Sequence, residues 1–119
     1  MKIRRNIVKE RLHQGKTVSC LAAWGYSGPD HIERLGPFQP HGVFLEGEHG
    51  NIDPPNISNF TRSCDIIGAT PIVRINQNDQ GVIYRTLDLG ALGIAVPHVN
   101  NKEEASVNMQ LEKLFPELD

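Results

Sequence analysis

Residues 42–53 read GVFLEGEHGNID, an apolar run that stops abruptly at Glu46, Glu48 and His49. The run is short and lacks polar alternation, which is typical of a strand covered on both faces. Charged groups cost free energy when they are buried without partners, and a turn that needed only solubility would be served by Ser, Asn or Lys. Carboxylates and an imidazole are the groups that transfer protons or bind metals. The stretch therefore predicts a buried strand with a functional site at its carboxyl end.

The composition is that of one globular domain. The chain has 119 residues, of which 39% are hydrophobic and 22% are charged, and its formal net charge is −2. This slight acidity argues against a nucleic-acid partner, because no basic stripe is present to neutralise phosphates. The sequence has no run of about 18 apolar residues, so it predicts no membrane span. The basic start is not followed by the apolar segment of a signal peptide. We expect a cytoplasmic protein without a membrane or nucleic-acid partner.

The two cysteines, Cys20 and Cys64, match no zinc or redox spacing. We interpret both as buried free thiols in a reducing compartment.

Helix and strand signals alternate along the chain. The apolar runs that predict strands span residues 17–23, 42–46, 70–75 and 92–96. The predicted helices are residues 7–14, residues 29–35 after a capping Ser27, a helix opened by Asp53-Pro54-Pro55 and ended by Gly68, one from Asn78 or Asp79 to Gly90, and one capped by Asn101. A helix followed by four strand–helix units predicts a parallel sheet. Four units make either a small open α/β sheet or half of an eight-unit barrel, which needs about 250 residues.

Polar residues follow the ends of these predicted strands. Because the carboxyl ends of parallel strands open on one face, these side chains are expected to gather there. The gathered set is Glu46, Glu48, His49, Arg74 and His98. Trp24 follows the first strand, and the sequence does not separate a core role from a pocket wall.

Each member also has a purely structural interpretation. Arg74 is equally well explained as an ion-pair partner of Glu46 or Glu48. His98 is better explained as an ordinary loop histidine, which is exposed or merely packed. Asp53 fits a helix cap better than a site residue. The three remaining histidines, His13, His31 and His41, show no partner pattern and are expected to be surface groups.

The cluster as a whole favours one kind of chemistry. An arginine beside an imidazole suits a small oxyanion such as a 2-oxo acid, held by the guanidinium while the imidazole moves a proton. The carboxylates either bind a divalent cation directly, or order its waters and tune the histidine.

Three ordered blocks resemble the HpcH/HpaI aldolase and citrate lyase family, the metal-dependent pyruvate aldolases that include dihydroxyheptenedioate aldolase. The first block is Val43 to His49, an apolar run followed by acid, small residue, Glu and His. The second is Pro71 to Arg74, with Asn78-Asp79 after it, and the third is Leu87 to Pro97, with residues 101–105 after it. Together the similar segments cover roughly residues 6 to 105.

The resemblance implies a (β/α)₈ barrel, of which this chain is about the amino-terminal half, and a retro-aldol reaction that yields pyruvate or a similar 2-oxo acid plus an aldehyde. It implies that His49 is the general base, working through a water, and that Arg74 holds the oxo group and stabilises the enolate. Glu46 stands where the family commonly has aspartate. Asp88 matches a family acid that orients the histidine, with contact across a subunit interface as one arrangement. The expected substrate-binding residues are Arg74, Glu48, Trp24, Pro97 and His98.

The resemblance also implies a divalent cation, Mg²⁺ or Mn²⁺, as Lewis acid. Its ligands are expected beyond residue 119, so no metal ligand is assigned within this chain. We divide the chain into an amino-terminal helix (1–15), family-like βα units (16–105) and a divergent carboxyl-terminal helix (106–119), together forming one partial barrel domain.

A half barrel leaves its first and last strands as unpaired edges. The expected partners are therefore a small hydroxy-oxo or oxo acid, together with either a second copy in a homo-oligomer or a missing second half. Two functions remain open: an aldolase-type lyase that is active only when completed, or an incomplete barrel that acts as a binding or interaction module or has no activity.

Overall fold

The computed structural model describes residues 4–23, 28–50 and 52–106. The elements are α1 (Ile7–His13), β1 (Cys20–Ala23), α2 (Pro29–Glu33), β2 (Gly42–Glu46), α3 (Ile57–Ile67), β3 (Thr70–Arg74), α4 (Gln80–Asp88) and β4 (Gly93–Ala95), with a short 3₁₀ turn at Gly36–Phe38 and a helical start at residues 102–106. The four strands form one parallel sheet in the order β1-β2-β3-β4. This confirms the predicted α/β architecture of consecutive βα units.

The helix caps and helix ends lie close to the positions that the sequence predicts, with shifts of a few residues. Asp79 caps α4 by accepting the amide of Val82 at 3.0 Å, and Gly68 ends α3 with a left-handed φ of 73°. The helix expected to open at Asp53 begins four residues later, at Ile57, after a turn. Strand β1 is shorter than predicted, because pairing with β2 starts only at Cys20.

The strand register sorts the side chains onto two faces. Ala23, Leu45 and Val73 align across the sheet and are buried against the helices, where they join a core that includes Phe60 and Cys64. The outer face is therefore the fully buried one that the helices cover. It anchors the sheet that positions the polar residues.

The opposite face, called here the inner face, carries Ala22, Phe44 and Ile72 at one level of the register. Ala22 is exposed, and the other two side chains are only half-buried. The prediction of strands covered on both faces is thus wrong for the inner face. A short apolar run does not reveal whether a second layer lies over it, since one covered face already demands apolar residues.

Helix α1 is tied to the amino ends of β3 and β4. The amide of Val8 donates to the hydroxyl of Thr70 at 3.2 Å, and that hydroxyl also lies 3.2 Å from Oδ1 of Asn6. Nδ2 of Asn6 donates to the carbonyl of Leu92 at 3.0 Å. The helix therefore packs at the end of the sheet opposite to the predicted site.

Two predictions about single residues are wrong. Cys20 is exposed, because it lies on the edge strand β1, whereas Cys64 is buried and burial raises the pKa of its thiol to about 12. His41 is not a surface group without a partner, since it is half-buried and its Nδ1 accepts the amide of Ser19 at 2.9 Å. Among the described residues, no helix has the length and apolar character needed to cross a bilayer.

Candidate active site

The site is built around Glu46, the last residue of β2, whose side chain is fully buried. The register pairs Glu46 with Arg74 at the end of β3. Nε of Arg74 donates to Oε1 at 3.0 Å, and Nη2 donates to Oε2. Oε1 also accepts the backbone amides of Glu48 at 2.7 Å and of His49 at 3.2 Å. A buried carboxylate is thereby satisfied by one bidentate guanidinium and two amides.

These hydrogen bonds decide the ionisation of Glu46. Burial by itself raises the pKa of this carboxyl, but the hydrogen bonds from Arg74 and from the two amides outweigh it and bring the pKa below its ordinary value. The hydrogen bond to Glu46 likewise raises the pKa of the Arg74 guanidinium. Both groups are therefore charged at neutral pH, and they form a fixed ion pair under the cluster.

Gly47 allows the backbone that follows β2 to lie close to the end of β3. Its amide donates to the carbonyl of Arg74 at 2.8 Å. A Cβ at this position would lie 2.5 Å from that same oxygen and 3.0 Å from the carbonyl oxygen of Ile52. The sequence therefore needs glycine between the two acids, because any side chain would separate the strands that hold Glu46 and Arg74 together.

Glu48 connects the buried ion pair to the two exposed imidazoles. Its side chain is only 10% exposed, and its Oε2 lies 3.3 Å from Nε of Arg74. Its Oε1 lies 2.6 Å from Nε2 of His98 and 3.5 Å from Nε2 of His49. The two imidazoles are 77% and 69% exposed, so they form the solvent side of the site.

The structure brings together the five residues that the strand ends predicted: Glu46, Glu48, His49, Arg74 and His98. His98, for which the sequence alone favours an ordinary loop residue, has a direct partner 50 positions away. Pro97 is buried beside it. Arg74 forms ion pairs with Glu46 and Glu48, as its purely structural interpretation predicted.

Of the other predicted site residues, Asp88 does not join this cluster. Trp24 lies outside the described residues. Asp88 is exposed and ends α4, a helix that runs from the carboxyl end of β3 back to the amino end of β4. Within one chain Asp88 therefore lies at the opposite end of the sheet from His49.

Phe44 is a site residue that sequence reasoning missed. The guanidinium carbon of Arg74 lies 6.0 Å from the centroid of the Phe44 ring, within the range of a cation–π contact. Phe44 precedes Glu46 by two positions, so both point to the inner face. The two-residue spacing from Glu46 was the sequence signal that could have placed Phe44 at the site.

The described residues do not fit a divalent cation. They contain no group of three or more His, Cys, Asp and Glu side chains arranged to hold a metal ion. The oxygens of Glu46 and Glu48 face the guanidinium of Arg74 or histidine nitrogens instead. A cation placed among them would meet the fixed positive charge of Arg74.

This fold matches part of several solved barrels. The structure aligns with an HpcH/HpaI aldolase from Desulfitobacterium hafniense at a TM-score of 0.81 and 24% identity, covering 90% of this chain and 41% of that one. It aligns with the citrate synthase SbnG at a TM-score of 0.75 and 29% identity, covering 83% of this chain and 40% of that one. The four βα units are therefore about half of a TIM-barrel fold.

The curated relatives are aldolases. The chain is 35% identical over 87 residues to a hydroxypyruvate/pyruvate aldolase of Rhizorhabdus wittichii, and 30% identical over 100 residues to a 2-dehydro-3,6-dideoxy-6-sulfogluconate aldolase of Pseudomonas putida. These matches cover 72% and 84% of this chain but only 35% of each relative. No family model matches the chain. The chain belongs to the HpcH/HpaI aldolase/citrate lyase family, as the ordered blocks indicated, and spans little more than a third of the length of these relatives.

Proposed function

We propose that the chain forms the base-and-oxyanion half of an aldolase-type lyase, which cleaves a hydroxy-oxo acid into pyruvate or a similar 2-oxo acid and an aldehyde. The observation that carries this proposal is the convergence of His49 and Arg74 on Glu46 and Glu48 at the carboxyl edge of the sheet. The names of the curated relatives support the reaction class. Because the chain spans about a third of them, we assign the activity to the completed protein.

His49 is the proposed base. Its imidazole is exposed, and its backbone amide donates a hydrogen bond to Oε1 of Glu46 at 3.2 Å. It takes the proton of the C4 hydroxyl of a 4-hydroxy-2-oxo acid, directly or through a water. The C3–C4 bond then breaks, the aldehyde leaves, and the electron pair of that bond forms the enolate of the 2-oxo acid. Protonation of C3 completes the product.

Arg74 is the proposed partner of the enolate oxygen. Its Nε and Nη2 are engaged by Glu46, whereas Nη1 forms no hydrogen bond to any residue in the described part of the chain. The two N–H groups of Nη1 thus remain to stabilise the oxyanion as it develops. In this arrangement Glu46 serves catalysis by holding Arg74 in place, and Glu48, His98, Pro97 and Trp24 are the proposed walls of the substrate site.

The charge of the cluster indicates what the rest of the protein has to supply. Two carboxylates face one guanidinium, so the carboxylate of an oxo acid needs positive charge from elsewhere. We propose that Mg²⁺ or Mn²⁺ takes its ligands from outside residues 1–119, where it would supply Lewis-acid chemistry. Asp88 reaches His49 only if it comes from a second copy.

A binding or interaction module is the alternative function. Among the described residues, β1 and β4 each pair with a single neighbouring strand. A groove of about 380 Å³ lies beside β4, lined in part by Val8, Ile72 and Ile94. These features suit a partner that completes the barrel, either a second copy or a separate second half. Two free cysteines agree with a reducing, cytoplasmic setting.

The proposal is tested by pyruvate release from a 4-hydroxy-2-oxo acid in the presence of Mn²⁺, catalysed by the completed protein, that is, this chain together with the remaining strands of the barrel. We expect His49→Ala to lower the rate by about 10²-fold or more, the usual contribution of a general base. His31→Ala is the matched control, since His31 is an exposed histidine on α2, and it should leave the rate unchanged. Equal rates for the completed wild type and its His49→Ala variant would contradict the assignment, and no release from the completed wild-type protein would favour the binding module.

A further inference from the structure

One carboxylate oxygen at the site faces two imidazoles. Oε1 of Glu48 lies 2.6 Å from Nε2 of His98 and 3.5 Å from Nε2 of His49. An ionised carboxylate only accepts hydrogen bonds, so Nε2 of His98 carries the donated proton. A separation of 3.5 Å lies beyond a good hydrogen bond. The oxygen is therefore bonded to His98, and Nε2 of His49 is left without it.

The other groups around Glu48 hold it in this orientation. Its second oxygen faces Nε of Arg74 at 3.3 Å, and Arg74 is itself fixed by the buried Glu46. Because one oxygen is directed to the guanidinium, Oε1 is the oxygen that faces the imidazoles. The hydrogen bond to His98 holds this oxygen 3.5 Å from Nε2 of His49.

His98 is held at this oxygen by an unusual backbone. Its φ of 56° is left-handed, which costs free energy in a residue with a side chain. Nδ2 of Asn100 donates to the carbonyl of His98 at 3.0 Å, and Oε2 of Glu104 accepts the amide of Asn100 at 2.6 Å. The loop after β4 therefore stabilises the one conformation that directs His98 to Glu48.

We propose that His98 is a positioning residue that keeps Glu48 bonded to itself and so leaves Nε2 of His49 free to accept a proton. Without His98, Oε1 of Glu48 becomes available to His49. The imidazole would then carry its proton on the nitrogen that must act as the acceptor. The inference rests on the proposed function, because it assigns His98 a role in the work of the proposed base.

Acylation by diethyl pyrocarbonate tests which imidazole is bonded to Oε1 of Glu48. The reagent acylates chiefly Nε2, the less hindered imidazole nitrogen, and only when Nε2 carries a lone pair. Side-chain exposure alone predicts that His98, at 77%, reacts at least as fast as His49, at 69%. The hydrogen bond predicts the reverse. We expect His49 to react faster by about threefold or more, the ratio that one net hydrogen bond contributes. Peptide mass spectrometry measures both rates in the same sample.

Two substitutions at one position separate positioning from structure. In His98→Asn the residue still suits a left-handed backbone but is too short to reach Glu48, so His49 should become about threefold slower. In His98→Gln a side-chain N–H again reaches the carboxylate, and Gln39 shows that this chain accepts a left-handed glutamine. The Gln variant should therefore keep the wild-type rate at His49, as should His31→Asn.

The proposal is overturned if His98 reacts faster than His49 in the wild type, or if the Asn and Gln variants give the same rate at His49. Circular dichroism checks that each variant is folded. The acylation pattern does not depend on lyase activity. A failure of the pyruvate assay with the expected acylation pattern would thus reject the proposed function alone, and the converse would reject the role of His98 alone.

Discussion

The two ends of the same sheet are built from different interactions. At the amino end, α1 is attached by neutral hydrogen bonds that connect Asn6, Val8 and Thr70. At the carboxyl end, the charged pair of Glu46 and Arg74 is partly buried under exposed imidazoles. At the amino end the Thr70 hydroxyl and the Asn6 side-chain amide are paired within the fold. The carboxyl end instead keeps exposed imidazoles and Nη1 of Arg74, which forms no hydrogen bond to any residue in the described part of the chain. Parallel α/β folds generally divide stability and function in this way.

The largest expected effect on stability lies at the carboxyl end. Glu46→Ala leaves Arg74 without its main partner and removes the acceptor of two amides, so we expect the free energy of unfolding to fall by about 3 kcal/mol. Urea unfolding followed by circular dichroism measures the change. Glu103→Ala, which removes an exposed carboxylate, should cost almost nothing. If both variants unfold at the same urea concentration, the buried pair does not stabilise this end of the sheet.

A smaller effect is expected at the amino end. Thr70→Val keeps the volume of the side chain but removes the hydroxyl that accepts the amide of Val8, so the free energy of unfolding should fall by about 1 kcal/mol. Thr17→Val, at an exposed position before β1, serves as its control in the same urea titration. A loss as large as that of Glu46→Ala would remove the contrast between the two ends.

The pH dependence of stability sharpens the comparison further. The pKa of Glu46 is lower in the folded chain than its ordinary value of 4.5. The unfolded state therefore binds the proton first, and the stabilisation by Glu46 is complete above pH 4.5 and lost as the pH falls through the lower, folded-state pKa. Urea midpoints measured at several acidic pH values should fall less steeply for Glu46→Gln than for the wild type. Parallel curves would contradict the lowered pKa.

The sequence predicted the fold well because the relevant signals are local. The alternation of apolar runs with capped helices needs only nearby residues, as the bond from the Val82 amide to Asp79 shows. Parallel strands all end at one edge, so the gathering of Glu46, Arg74 and His98 followed from the order of elements. The pattern of residues 42–46 placed both ends of β2 correctly.

The errors occur where a contact depends on distant parts of the chain. Cys20 is exposed because no strand lies beyond β1 in the described residues. An apolar run does not indicate whether a neighbouring strand will cover it. Asp88 lies far from His49 because α4 returns along the sheet before it ends. The docking of α1 to Thr70 spans 62 positions and leaves no periodic signal.

The sequence by itself determined the βα order, the edge of the sheet where the polar side chains collect, and the family to which the chain belongs. Only the tertiary structure decided how those side chains share partners: Arg74 bonds to Glu46 across 28 positions, and His98 bonds to Glu48 across 50. The physical reason is that periodicity and caps specify which face and end a residue occupies. The choice among several nearby acceptors depends on register, side-chain reach and burial, which exist only once the strands lie side by side.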